Sequence, residues 1–571
     1  MTAFVALLAC AALSTVVLHR RATTGGGTIH HRHPRAGADR YDHDGRPTSS
    51  SSSSSSGGIV IDIARMRNLT LAHGTFYFGP HSHEVYDVGS SSSSLEYYEG
   101  TGSSWNAIQG EMLDDGAINV DKERERCARY NFDLVNETHP KRRRLFMGAL
   151  IGDDSMEVLR AVAAESHDVF HTVSYVEGFQ AHDLSPRDTR YYDVRNNGAP
   201  TDELLTLLRL FGPNTRVSVD YYDTSMTELV GQFGDLFMDF VGREGNTHRW
   251  ALNGMREDDV GIIGDADEVF TRDFLRALQI CDVPELRGGQ NCLEAQVKSS
   301  TLVYESSPNC LTRDRRWFHP DAILGECVDN VGNATRHPPT KRDYADRHGL
   351  EIPGYGAGGS DFRPNYTLYH ETGMGPYDTY PLWHGTDVRM KWIGRTYAKN
   401  DGSATAYHFH NFFNSTDEIH KKYATYGHAK GDRAYNMPIW ALQEDIKVGV
   451  DCVNRIGDKY LDFNNSGGTV LPIYYLNDDV RNRRHEHWER IVRDEEEIWR
   501  KKLEGMQDLE NENQDCWMNC GERAGECRHF CGKRGVCCQV GHENSKIIEC
   551  GDGTLGCVGR ECCVSAATAA Q

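Results

Sequence analysis

The sequence has no excess of positive charge. Across 571 residues, 62 Lys and Arg stand against 83 Asp and Glu, a formal net charge of −21. With a sequence pI near 5.6, that balance excludes a chain that grips nucleic acid through its overall field. Long apolar runs are scarce as well: apolar residues make up 39% and mean hydropathy is −0.59, which excludes a polytopic membrane protein. Residues 2–18 are the one candidate membrane segment, at the lower limit for a spanning helix and equally suited to a signal-peptide core. No basic residue precedes this segment, while His19, Arg20 and Arg21 follow it, the less usual flank for an anchor with a lumenal body. Residues 1–18 are therefore expected to act as a signal anchor or a signal peptide. Apolar residues are sparse again over 19–125, where serine runs cover 49–56 and 90–94. That composition predicts a low-complexity stem with no core of its own.

Cysteine, by contrast, is plentiful and unevenly placed. Of 17 cysteines, ten fall between Cys516 and Cys563, Cys10 lies in the leader, and six are spread over Cys127, Cys281, Cys292, Cys310, Cys327 and Cys452. Both outer groups are even-numbered, as disulfide pairs require, and an oxidising compartment fits the leader. Six glycosylation sequons begin at Asn68, Asn136, Asn333, Asn365, Asn414 and Asn464, which also favours the secretory pathway.

From Cys127 onward a regular alternation sets in. Residues 145–150 have strand length, and 154–165 place Met156, Leu159 and Val162 at helical spacing. A second strand is expected over 169–176, a leucine-rich helix over 201–211 and a strand over 216–222. Ser225 to Glu228 form a capping box that predicts a helix running toward Phe240. A further helical stretch lies around 248–255, and 260–263 is a short buried strand. Such alternation predicts an α/β fold, with a mostly parallel sheet covered by helices on both faces. Residues 485–514 read as a charged linker helix, lightly packed, with Trp488, Val492, Trp499, Leu503 and Met506 along one side.

In a sheet of this kind ligands bind beyond the carboxyl ends of the strands. There the chain places Gly264, Asp265, Ala266, Asp267 and Glu268. Three carboxylates within four residues form a hard-oxygen cluster suited to Mg2+ or Mn2+. Asp42 and Asp44 repeat the Asp-x-Asp spacing in the stem, but without a strand to fix them. The chemistry that needs the cluster is transfer from a nucleoside diphosphate sugar, whose phosphates a bridging cation holds against the carboxylates. The alternative is structural: an N-terminal cap and acidic first turn for a helix over 271–279.

The stretch 248–273 resembles glycosyltransferase family 17, in which an arginine precedes an Asp-Asp-hydrophobic strand and then Asp-x-Asp-Glu-Ile-Pro. Arg249, Asp258, Asp259, Ile262, Ile263, Asp265, Asp267 and Glu268 match, and Val269 and Phe270 replace the Ile-Pro. Residues 142–178 are similar to the family's opening strand, Glu-rich helix and second strand, with Glu157 and Glu177 at family-like positions. Ala406, Tyr407 and His408 are similar to its Gly-Trp-His block, and 471–474 to its closing strand. The likeness is patchy over 126–480, and weakest over 310–400. It implies a GT-A-like, Rossmann-type domain over 126–484, bound Mn2+ or Mg2+, and inverting transfer of N-acetylglucosamine from UDP-GlcNAc to a mannose of protein N-glycans, in a β-1,4 linkage. The resemblance further implies Golgi residence with a lumenal catalytic domain, or secretion if the leader is cleaved; only the leader meets the membrane, and no nucleic acid is involved. Implied site residues are Asp265, Asp267, Glu268 and His408 for catalysis, Asp265, Asp267 and His408 for the metal, and Glu177, Arg249 and Asp265 for the nucleotide. Asp417, Glu418, Glu444 and Asp445 lie in the acceptor-side half, where a catalytic base belongs. A secreted glycan-binding or cell-surface protein with an inactive transferase-like domain is the alternative, and a metal-dependent hydrolase a third reading.

Beyond a linker over 485–515, residues 516–564 pack ten cysteines into a span too short to build a core, so staples are expected. Their spacings, with adjacent Cys-Cys pairs instead of paired Cys-x2-Cys, favour disulfides over zinc. The result is a small disulfide-rich module, either a structural tail or a glycan- or surface-binding appendage.

Overall fold

The computed structural model of the chain describes residues 67–71, 74–85, 118–135, 140–181, 185–190, 201–223, 237–289, 295–312, 317–332, 388–389, 395–425, 435–439, 460–462, 471–507, 546–549 and 555–558, with single residues 138, 292 and 442 between them. The leader, Asp42 and Asp44, the capping box at 225–228, Glu444, Asp445 and the cysteine side chains of the tail lie outside the described residues. Of the tail, an antiparallel hairpin of Lys546–Glu549 and Leu555–Val558 is described. No helix among the described residues is long and apolar enough to cross a membrane.

The alternating pattern becomes an α/β domain. Its strands are β1 (Arg67–Leu71), β2 (Gly74–Phe78), β3 (Leu145–Leu150), β4 (Thr172–Gly178), β5 (Arg216–Asp223), β6 (Val260–Asp265), β7 (Glu268–Phe270), β8 (Gln296–Ser299), β9 (Thr301–Glu305), β10 (Cys310–Thr312), β11 (Asp321–Leu324), β12 (Arg395–Tyr397), β13 (Ala406–His410) and β14 (Tyr460–Asp462). Nine of them form a mixed sheet in the order β1-β2-β5-β4-β3-β6-β11-β8-β12, and five a second sheet, β14-β10-β9-β13-β7. The central β5, β4, β3 and β6 run parallel, flanked by antiparallel β2 and β11. Strand order reverses between β3 and β6, the switch point beyond whose carboxyl ends sheets of this kind form a crevice.

Helices cover both faces because the strands are apolar on both. Leu145, Met147 and Ala149 of β3 enter the large core with α2 (Met156–Ser166), α3 (Asp202–Leu210) and α5 (Arg272–Ile280). Phe146, between them, joins Trp250 of α4 (Phe237–Leu252) and Ile263 on the other side. Helix α4 lies so close that a Cβ on Gly148 would sit 2.7 Å from Asn246, and one on Gly261 2.3 Å from Trp250. Glycine at these positions is a requirement of close packing.

Disulfides join Cys127 of α1 (Val120–Ala128) to Cys281, and Cys292 to Cys327; Cys310 is disulfide-bonded too. The first closes a separation of 154 residues, clamping α1 to the end of α5.

Four expectations need correction. The segment 19–125 contributes β1 and β2 to the main sheet: Phe76 and Phe78 are buried, and the Asp220 carboxylate accepts a hydrogen bond from the Gly79 N–H at 2.8 Å. The helical stretch expected around 248–255 begins earlier, as α4 from Phe237 to Leu252, while residues 225–236 of the helix expected toward Phe240 lie outside the described residues. Residues 473–476 form a 3-10 turn, because Pro472, its ring holding φ at −56°, caps the turn with ψ at 142° and Ile473 N–H is drawn to Glu165 at 2.7 Å. The charged helix starts earlier, as α7 (Asp478–Gln507), and it is firmly packed. Val480, Arg484, Trp488, Ile491, Glu495 and Trp499 form its buried face, with buried Glu495 accepting from Ile439 N–H and Trp499 Nε1 and lying 3.2 Å from His420 Nε2.

Candidate functional site

Strand β6 delivers Asp265 to the crevice beside Leu150 of β3. The chain then turns through Ala266 and Asp267, and Glu268 opens β7 in the second sheet. The motif thus straddles both sheets, and β7 pairs with β13 so that Glu268 lies opposite His408. The capping alternative does not account for it: the cap of α5 is Thr271, and its first-turn acid is Asp273.

Ligand atoms of Asp267, Glu268 and His408 lie within 4.8 Å of one another, with His408 Nε2 3.4 Å from Asp267 Oδ2. Burial opposes charge on both, yet their attraction wins: the Asp267 carboxyl is lowered and the His408 imidazole raised. His408 Nδ1 has no hydrogen-bond partner among the described residues, and the ring stacks on Trp317 with centroids 4.9 Å apart.

Asp265 and Glu268 are held differently. Arg243 of α4, 2% exposed, donates to Asp265 and to the Gly264 carbonyl. Arg389, 4% exposed, bridges Asp265 and Glu268 at 2.6–2.8 Å. Burial alone would raise the Asp265 carboxyl, but the two guanidinium groups hold it well below the usual carboxylate range. The Asp265 side chain remains 37% exposed to the crevice.

Two further acids line the neighbouring strand ends. Asp154, after β3, accepts from Gly152 N–H at 2.9 Å; burial and then the Asp267 charge push it up to about 6. Glu177, near the end of β4, is fully buried and accepts from Arg190 N–H at 2.8 Å, with Arg187 at 3.7 Å. Its Oε2 has no partner among the described residues, and burial pushes the group up to about 7 despite Arg187.

The structure therefore brings together Asp265, Asp267, Glu268 and His408, with Asp265 outside the three-residue ligand set. Arg249 is elsewhere. Buried in α4, it donates to Ser218 Oγ and the Gly79 carbonyl at 3.1 and 2.6 Å and pairs with Asp220 at 3.4 Å. It fastens β2 to β5, because its turn of α4 faces those strands. Glu157 accepts from the Tyr475 hydroxyl at 3.1 Å and faces Arg484, a tie between α2 and α7. Asp417 is exposed, and Glu418 accepts from Asn414 N–H at 2.8 Å at the start of α6 (Thr416–Thr425). The site residues without a sequence signal are Arg243, Trp317 and Arg389. Asp154 has one, since it follows a buried strand as Asp265 does. No family model, no curated protein and no solved structure matches the chain.

Proposed function

We infer that the chain is a metal-dependent, inverting glycosyltransferase with a GT-A-like domain, of the kind gathered in family 17. Its reaction moves N-acetylglucosamine from UDP-GlcNAc to a mannose of protein N-glycans, in the Golgi lumen or after secretion. The observation that carries the reading is that ligand atoms of Asp267, Glu268 and His408 lie within 4.8 Å of one another, just beyond the carboxyl end of β6. Carboxylate oxygen with imidazole nitrogen suits Mn2+. The 3.4 Å separation of His408 Nε2 from Asp267 Oδ2, longer than a good hydrogen bond, fits a cation bound between the two.

Asp267 and His408 would hold the ion, which supplies positive charge for the donor's diphosphate and for the charge that grows on departing UDP. His408 must give up its proton to ligate, so acid weakens binding. Glu177, with one free buried oxygen near the end of β4, would accept from a ribose or base of the nucleotide. Trp317, half-buried against His408, offers an aromatic face beside the sugar. A glycan-binding protein without activity is the second reading, favoured by the arginines that occupy Asp265 and Glu268.

UDP binding by the full chain, measured with and without Mn2+, tests the assignment. Asp267→Ala should abolish the Mn2+-dependent part while the fold persists, and Asp42→Ala should change nothing. Equal UDP affinity in wild type and Asp267→Ala would falsify the metal site.

A further inference from the structure

Glu268 is the most heavily hydrogen-bonded acid of the motif. Arg389, 121 residues further along the chain, donates from Nη1 to Oε2 at 2.6 Å and from Nη2 to Oε1 at 2.8 Å. Trp317 Nε1 adds a bond to Oε1 at 2.6 Å, and Asp265 N–H one to Oε2 at 3.0 Å. Two donors on each oxygen fill the lone-pair capacity of a carboxylate. Glu268 is nevertheless one of the three groups whose ligand atoms lie within 4.8 Å of one another. A lone pair engaged by a guanidinium N–H is not free to bind a metal ion. Arginine cannot relieve the conflict by losing its proton, and a buried guanidinium beside a divalent ion raises the energy of both.

We propose that Arg389 is a positioning residue that competes with a divalent cation for Glu268. With the guanidinium in place, the cation has Asp267 and His408 alone; when it withdraws, Glu268 completes a three-residue site. Arg389 is thus the motif's resident counter-ion and keeps the acidic cluster ordered while no metal is bound. The proposal rests on the metal-dependent reading of the site.

The test is Mn2+ titration by calorimetry, without nucleotide, into the full chain carrying Arg389→Ala, Glu268→Gln or both. Arg389→Ala should bind Mn2+ roughly tenfold tighter or more, because a charged ligand is released to the site. Glu268→Gln alone should shift affinity by less than about threefold, and the double variant should lack the gain. Unchanged or weaker Mn2+ binding in folded Arg389→Ala overturns the proposal. If that variant does not fold, Arg389→Lys carries the test, since it keeps a cation but loses the bidentate fork. A tighter Mn2+ site in Arg389→Lys supports competition, and no gain overturns it. Asp267→Ala separates the two levels: wild-type Mn2+ binding there defeats the metal site itself, whereas lost binding there with no gain in Arg389→Ala defeats only the competition.

Discussion

The two ends of the parallel strands β5, β4, β3 and β6 carry opposite chemistry. At the carboxyl end stand Asp154, Glu177, Asp265 and Asp267; at the amino end, Arg144 precedes β3, His171 precedes β4, and Arg216 opens β5. The amino end is closed by the fold. Arg144 grips Asp259 with both arms and the Gly254 carbonyl at 2.8 Å. Ser82 Oγ accepts from Val217 N–H, and His83 donates to the Pro213 carbonyl. The carboxyl end gathers four acids from three strand ends, those of β3, β4 and β6, with buried cations matching only part of them. Polar groups at the first end serve architecture, whereas those at the second form a charge pattern that a ligand can complete.

Breaking the closed end should have the largest effect. Deleting residues 1–85 removes β1, β2, buried Phe76 and Phe78, and the Gly79 partners of Asp220 and Arg249. Each hydrogen bond lost from the Asp220–Arg249 pair costs about 1.5–3 kcal/mol and each lost phenylalanine about 2–3 kcal/mol, together comparable to a whole domain's stability of roughly 5–15 kcal/mol. A chain beginning at residue 86 should give no cooperative transition on heating, while the full chain does. Next comes the Cys127–Cys281 clamp. Replacing both cysteines by serine should lower unfolding free energy by about 2–5 kcal/mol in denaturant titration.

The pH response sharpens the contrast between the ends. Glu177, pushed up to about 7 by burial, holds its proton more tightly folded than unfolded. Stability from this group therefore falls as pH rises from about 4.5 to about 7. Glu177→Gln should remove on the order of 2 kcal/mol from the stability difference between acid and mildly alkaline solution. His171 behaves in the reverse sense. Burial first, then Arg144 and Arg216, lower it to about 4, so the unfolded chain takes up the proton first and stability is lost as pH falls from about 6.5 toward 4. His171→Phe should flatten that acid limb, the smallest of these effects, and leave the neutral limb intact.

Local elements were legible where their signal is local. Strand β3 occupies the expected 145–150, α3 the expected 201–211 within one residue at each end, and β6 extends the expected 260–263 to Asp265. Asp265, Asp267 and Glu268 could be found because a buried strand leads into them. Trp317 and Arg389 could not, since they reach Glu268 from 49 and 121 residues away through contacts that leave no periodic trace. Residues 74–85 were hidden between serine blocks, too short a stretch to reveal a sheet edge. The packing of α7 was obscured because Arg484 and Glu495 sit on its buried face, where an apolar stripe would be expected.

The most direct test of the account is UDP release from UDP-GlcNAc by the full chain, with and without Mn2+ and an N-glycan acceptor bearing terminal or core mannose. The account predicts turnover that needs Mn2+ and rises with acceptor. No turnover, together with no Mn2+-dependent binding of UDP, would contradict it and leave the glycan-binding reading in its place.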